Sequence, residues 1–264
     1  PYEGMLVRFR HPLTVTEFFQ LGRYGQFVLA GGRQQQFTLD NDPDPAGYSA
    51  YRQQLSAGRI ILDDRNNEQN IDPVYYPQPG GFAVDRYVRG GDTVDELTAV
   101  LHWSFAGTPG TEAWRLRPSK LYPVRFTRSN PRTAPPAVGG RLRIASFNAL
   151  NYFNGDGRGG GFPTARGAHS PAELARQTAK IVAALTALDA DIIGLQELEN
   201  DYGQGPRSAA QSLVEALNAA VGAGAYAYVD PGRSRIGDDQ IAVGLLYRPG
   251  IVRLAPGTVP RILD

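Results

Sequence analysis

"RIASFNALNYF", residues 143–153, and "DADIIGLQELEN", residues 189–200, decide how the second half of this chain folds. Each opens with apolar residues that suit a buried strand, and each closes on residues that strands disfavour. The first is expected to pair as far as Phe147 and to run out at Asn148. The second is expected to carry a buried strand to Glu197. Between them, Ser170-Pro171-Ala172-Glu173 has the form of a capping box with proline in the first turn. Leu174, Ile181, Ala184, Leu185 and Leu188 then recur at helical spacing. Ser208 to Asn218 reads as another helix. "AYAYV" and "IAVGLLYR" read as strands, with Gly232 to Asp239 turning between them. Strand and helix alternate, so an α/β layer containing two parallel buried strands is expected over 141–264.

In open α/β sheets, ligands gather beyond the carboxyl ends of the strands. Asn148 and Glu197 would meet there as an amide oxygen and a carboxylate. That pair suits a hard cation such as Mg²⁺, which takes oxygen ligands and completes its shell with water and substrate phosphate. Gln196 would steady the carboxylate from behind. Taken alone, the two residues fit a plain strand terminus better than a metal site.

Residues 1 to 128 have a different texture, with short strands separated by turn chemistry. Met5–Phe9, Leu13–Phe18, Gln26–Leu29, Arg59–Leu62, Leu97–Leu101, Trp114–Leu116 and Tyr122–Phe126 are the expected strands, with one helix from about Ala46 to Leu55. Many short strands with one helix predict a small closed, all-β barrel of OB-like type. "SNPRTAPPAVGG", residues 129–140, reads as a Pro/Gly-rich linker.

The chain of 264 residues is 42% hydrophobic and 20% charged, the composition of a globular protein with a real core. A net charge of only +1 means that binding to a polyanion must come from local clusters or bound metal. The absence of cysteine excludes disulfides, thiolate catalysis and cysteine-based zinc sites. No apolar run approaches the roughly 20 residues of a membrane helix, so no membrane partner is expected. The chain opens at Pro1 without a signal-peptide pattern, as a segment of a longer protein would.

The ordered series "RIASFNALNYF", "DADIIGLQELEN" and "IAVGLLYRP" resembles the endonuclease/exonuclease/phosphatase superfamily, the fold of DNase I and exonuclease III. "RGAHSPAELARQTAKIVAAL" and "QIAVGLLYRPGIV" are similar, more narrowly, to large secreted bacterial nucleases of the ExeM/NucH type. "YEGMLVRF", "LTVTEFF", "GRYGQFVLAGGR", "RIILDD" and "GDTVDELTAVLHW" resemble the OB-like module that precedes the catalytic domain in those nucleases. The resemblance implies the first half of a DNase I-like two-sheet α/β sandwich over 141–264. It also implies hydrolysis of DNA phosphodiester bonds with little sequence preference, outside the cell or in the periplasm. DNA is the implied partner, with RNA as the other polynucleotide, and the implied cofactor is Mg or Mn, with Ca as a third choice. By position, Glu197 matches the metal-ligand glutamate, and Asn148 the asparagine beside metal and scissile phosphate. Asp239 stands where those nucleases carry an acidic residue, and is given a supporting role. Glu199 stands where DNase I has an arginine for the minor groove, so that contact is not expected.

The superfamily completes its site with a histidine, an Asp-x-Asn pair and a Ser-Asp-His on later strands, and none follows within this sequence. The C-terminal part of the catalytic domain is therefore an expected partner, and 1–264 alone is expected to hydrolyse little DNA. His11, His102 and His169 sit in no matching motif. Sphingomyelinases and inositol-phosphate phosphatases share the metal core, which gives one rival reading. A non-catalytic DNA-binding module gives another.

Three further stretches invite functional readings and fit plainer ones better. Residues 155–160 satisfy G-x-G-x-x-G, but no helix opens from those glycines, so a flexible loop beside the site is the better reading. "DDRNNEQN", 63–70, lacks the order of a calcium loop and reads as a polar turn. Arginines and aromatics interleave in the first half, as at Arg86-Tyr87 and Trp114-Arg115. Most of these aromatics read better as core or interdomain packing than as base-stacking platforms, while DNA binding by the module as a whole stands level with a purely structural role.

Overall fold

The computed structural model describes residues 2–83, 85–104, 112–131, 133–257 and 260. The chain forms two compact units, Pro1–Arg132 and Thr133–Asp264. Among the described residues no helix is long and apolar enough to cross a membrane.

The first unit holds β1 (Leu6–Arg8), β2 (Leu13–Glu17), α1 (Leu21–Tyr24), β3 (Phe27–Ala30), α2 (Pro45–Ala57), β4 (Arg59–Leu62), β5 (Thr93–Val94), β6 (Thr98–Ser104), β7 (Ala113–Pro118) and β8 (Phe126–Thr127). They join one sheet in the order β1-β6-β7-β4-β3-β2-β5-β8. Val15, Phe27, Leu29, Leu62, Val94 and Leu116 make its core, and each is fully buried. β1 pairs only with β6, and β8 only with β5, so among the described residues no ladder closes the sheet. The expected closed barrel is therefore not seen; this sheet has two short edges. Most expected strands are present within a residue or two. Tyr122–Phe126 is the exception, because Pro123 carries no donor and only Phe126 and Thr127 pair. Residues 31–58 connect the antiparallel neighbours β3 and β4, and none of them is buried.

Beneath β7 lies a buried charge cluster. Arg115, 1% exposed, sits 3.5 Å from one oxygen of Asp63, and Arg117 Nε sits 3.5 Å from the other. Asp63 also accepts the Arg65 N–H at 2.7 Å. Neither terminal nitrogen of Arg115 makes a well-formed hydrogen bond, so Asp63 is its main charge compensation. Burial pulls the Arg115 guanidinium below its ordinary pKa, and the Asp63 charge opposes that shift.

The second unit holds β9 (Ile144–Tyr152), α3 (Pro171–Leu188), β10 (Ile192–Glu199), α4 (Ala209–Val221), β11 (Ala227–Tyr228) and β12 (Ile241–Tyr247). The sheet order is β11-β12-β10-β9, with β9 parallel to β10 and the other pairs antiparallel. The expected α/β layer and its parallel pair are present. The Ser170 hydroxyl caps α3 by accepting from Glu173 N at 3.3 Å. The return bond of Glu173 goes to His169 N at 2.7 Å, which makes His169 part of the cap. Ile181 and Leu185 of α3 and Leu213, Val214 and Leu217 of α4 bury against Ile193, Leu195, Leu198 and Leu246 on one face of the sheet. The opposite face stays open: Ile144 is 72% exposed, Val243 59% and Leu245 47%.

At the amino ends of β9 and β10, Asp189 takes Arg143 Nη2 at 2.7 Å and Arg248 Nη2 on its two oxygens. Asp191 accepts Arg143 N at 2.9 Å, which ties the strand starts together. That end of the sheet is a structural clamp, and it leaves the carboxyl ends free for function. For the first unit, Asp63→Ala should leave a buried guanidinium uncompensated and cost about 3–5 kcal/mol. Urea unfolding followed by tryptophan fluorescence, since both tryptophans lie in that unit, would register the loss; an unchanged midpoint would contradict it.

Candidate functional site

β9 does not run out at Asn148, which corrects the boundary expected from sequence. Asn148 still pairs, with Gln196, and pairing resumes at Tyr152 opposite Leu198. Between those pairs, β9 carries Ala149, Leu150 and Asn151 while β10 carries Glu197 alone. On the other side of β10, Gln196 and Glu197 stand opposite Val243 alone. Glu197 is thus a bulge residue against both neighbours, and its φ of 58° lies in the left-handed region. Leu150 and Asn151 share that region, at φ 56° and 52°. Asparagine tolerates it; leucine and glutamate pay in strain of about 1–3 kcal/mol each.

Glu197 collects the excursion. Its Oε1 accepts Asn148 Nδ2 at 2.8 Å, and its Oε2 accepts Asn151 N at 3.1 Å. Asn148 Oδ1 accepts Leu150 N at 2.7 Å, which fixes the amide so that its NH₂ faces the carboxylate. The structure therefore brings Asn148 and Glu197 together at the carboxyl end of the parallel pair. Gln196 instead donates to Ser146 Oγ at 3.1 Å on the open face. Asp239 pairs through Oδ1 with Arg166 Nη1 and accepts Gln240 N at 2.6 Å. Among the described residues neither Gln196 nor Asp239 bonds to Glu197.

Beyond Glu197 the strand borders a cleft of roughly 680 Å³, lined in part by Phe153, Glu199, Asp201, Arg235 and Asp238. Burial pushes the Glu199 carboxyl up to about 7, opposed by the Asn154 N–H on its Oε2 and assisted by the Asp201 charge. Burial also raises Asp201, against the pull of Ala209 N at the start of α4. Asn200, 1% exposed, holds both Ile236 N at 2.8 Å and Ile236 O at 2.7 Å, stapling the 232–240 turn to β10. Glu199's burial, the Asn200 staple and Arg166 were not foreseen; the one local signal was a second carboxylate and an amide directly after Glu197.

The donor set consists of oxygens. Each Glu197 oxygen accepts one hydrogen bond and keeps further lone-pair capacity, and no nitrogen or sulfur ligand is present. Among the described residues no group of three His, Asp or Glu side chains could hold a metal by itself. Such a set could supply only part of a metal shell, and its oxygens would suit Mg²⁺ or Mn²⁺, ions held by one or two carboxylates plus water and phosphate oxygens.

Residues 145–264 match the model of the Endonuclease/Exonuclease/phosphatase family. Comparisons with curated proteins and with solved structures returned no significant match. The matched segment contains Asn148 and Glu197 together with the bulge that joins them. The match covers just under half of the chain, and the members of that family are hydrolytic phosphodiesterases, nucleases and phosphatases.

Two outcomes follow from this geometry. Glycine accepts φ of 58° freely and alanine does not, so Glu197→Gly should be more stable than Glu197→Ala by about 1 kcal/mol in denaturant unfolding. Equal stabilities would show that the bulge is unstrained. Glu199 binds its proton more tightly folded than unfolded, so stability should be full below its unfolded pKa and fall as pH rises towards 7. Glu199→Gln should flatten that fall in melts between pH 5 and 7.5; an identical slope would rule out Glu199 as its source.

Proposed function

We propose that this chain contributes the cation-holding corner of a divalent-metal-dependent nuclease that hydrolyses DNA with little sequence preference. The observation that carries the reading is the strained bulge: three left-handed residues converge to present one carboxylate at the end of a parallel strand pair. A bound Mg²⁺ or Mn²⁺ supplies Lewis-acid polarisation of a phosphate oxygen. Glu197 is the residue that holds it, and Asn148 and Asn151 N fix the carboxylate's orientation. The Asn148 amide also stands where it can donate to a phosphate oxygen once that oxygen competes for its NH₂. Calcium is the weaker choice, since it takes six to eight oxygens and this corner offers few.

The open sheet face supports a two-sheet sandwich, in which a second sheet covers Ile144, Val243 and Leu245. An extracellular or periplasmic location is carried over from the secreted nucleases that the sequence resembles. The first unit resembles in sequence the module that precedes the catalytic domain in those nucleases, and on that resemblance we assign it DNA binding. In its support, guanidiniums lie over tyrosine rings at Arg23/Tyr24, 4.9 Å, and Arg128/Tyr87, 4.8 Å. Should that unit alone carry function, DNA binding will be salt-sensitive, independent of metal and unaffected by Glu197→Ala.

Mn²⁺ binding followed by electron paramagnetic resonance tests the corner directly. Saturable binding should vanish in Glu197→Gln and weaken about 10–100-fold in Asn148→Ala, the range for residues that orient a ligand. Unchanged Mn²⁺ affinity in Glu197→Gln would overturn the assignment. A panel of DNA, RNA, sphingomyelin and inositol phosphates, assayed with the protein that carries the whole catalytic domain, separates the nuclease from its phosphodiesterase relatives.

A further inference from the structure

Among the described residues Asp239 makes no hydrogen bond to Glu197, yet it gathers two arginines. Its carboxylate takes Arg166 Nη1, and its backbone carbonyl takes Arg235 Nη2 at 2.9 Å. The segments that carry the two arginines are packed at the carboxyl ends of β9 and β10. The Arg166 segment is pressed onto the excursion that holds Glu197: a Cβ at Gly167 would stand 2.5 Å from Asn151 O and 2.9 Å from Phe153 Cβ. Gly167 N also donates to Thr164 Oγ1 at 3.1 Å. The Arg235 segment is fixed on the far side, where Asn200 holds Ile236 and Gly203 N donates to Ser234 O at 2.9 Å. Arg235 lines the cleft, and Arg166 is tied to its border through Asp239, which sits between the lining residues Asp238 and Gln240.

An exposed ion pair adds little stability, and the Arg166 and Asp239 side chains are 44% and 59% exposed. Each guanidinium carries five N–H donors and spends one at Asp239, which leaves the fork that pairs with phosphate. Of the cleft carboxylates, Glu199 is held by Asn154 N and Asp201 by Ala209 N, and among the described residues Asp238 makes no ion pair with either arginine.

We propose that Arg166 and Arg235, positioned by Asp239, clamp a backbone phosphate next to the one handled at Glu197, so that the site reads a polynucleotide strand. This rests on the reading that Glu197 serves a phosphodiester. A substrate with a single phosphate cannot fill the clamp, which sets a nucleic-acid strand apart from a phospholipid or sugar phosphate.

The test uses the full chain with two hydrolysis-resistant probes, a thymidine dinucleotide with one phosphorothioate and a thymidine tetramer with three. Binding is read by fluorescence anisotropy across a salt series, with and without Mn²⁺. Wild type should prefer the tetramer. Arg166→Met and Arg235→Met should each weaken the tetramer about tenfold and lower its salt slope by about 0.7, leaving dinucleotide and Mn²⁺ affinity unchanged. Arg166→Lys should keep the slope and lose part of the affinity. Asp239→Asn, which keeps the backbone carbonyl but frees Arg166, should weaken the tetramer while circular dichroism stays native. Unchanged tetramer affinity and slope in both methionine variants would overturn the clamp, as would equal losses on both probes. Failure of wild type to bind Mn²⁺ would sink the Glu197 reading alone, since the metal-free salt series still judges the arginines.

Discussion

Glu197 occupies a backbone conformation that its own side chain makes tolerable. In the left-handed region it opens a bulge in the middle of β10, and its two oxygens then take Asn148 Nδ2 and Asn151 N from the facing strand. Without those bonds Leu150 and Asn151 would have little reason to hold positive φ. Without the bulge, Glu197 would follow the pleat like any strand residue, onto the helix-covered face beside Leu195. The carboxylate and the distortion support each other, and strain of this kind persists where surroundings over-determine it.

The rest of the second unit supplies that over-determination. Leu195 and Leu198, on either side of the bulge, are fully buried against α3 and α4, so β10 cannot slip to relax it. The Asp189 and Asp191 clamp fixes register at the opposite end, where Arg143 and Arg248 meet them. Polar groups at the carboxyl ends of the strands are left half-exposed while the core beneath is dense. A rigid floor under a strained rim is the arrangement that a positioned ligand requires.

Much of this was legible in the sequence, and the failures have physical causes. The parallel pair, the Ser170 cap and the helical stripe of α3 were readable because periodicity and capping are local. Asn148 and Glu197 were readable as partners because both close apolar strands. The continuation of β9 through Asn148 was not, since propensity marks asparagine as a strand end and cannot see a bulge stabilised from the next strand. Arg166 and Asp239 lie 73 residues apart, and their ion pair depends on how the 155–169 loop and the 232–240 turn fold. The barrel expectation failed at closure, a property of pairing between β1 and β8 that strand count does not encode. Buried Arg115 was read only as part of an aromatic-basic series, because nothing in its neighbours announces Asp63.

Among the described residues β9 is also the outermost strand of its sheet, with nine residues and one unpaired side. A long flat edge of that kind is a template on which another extended chain can add, the route to aggregation. The three-residue excursion breaks the edge after Asn148 and turns Leu150 outward at left-handed φ, which spoils the ladder for any newcomer. The same distortion that aims a carboxylate therefore guards the chain while its open face is uncovered.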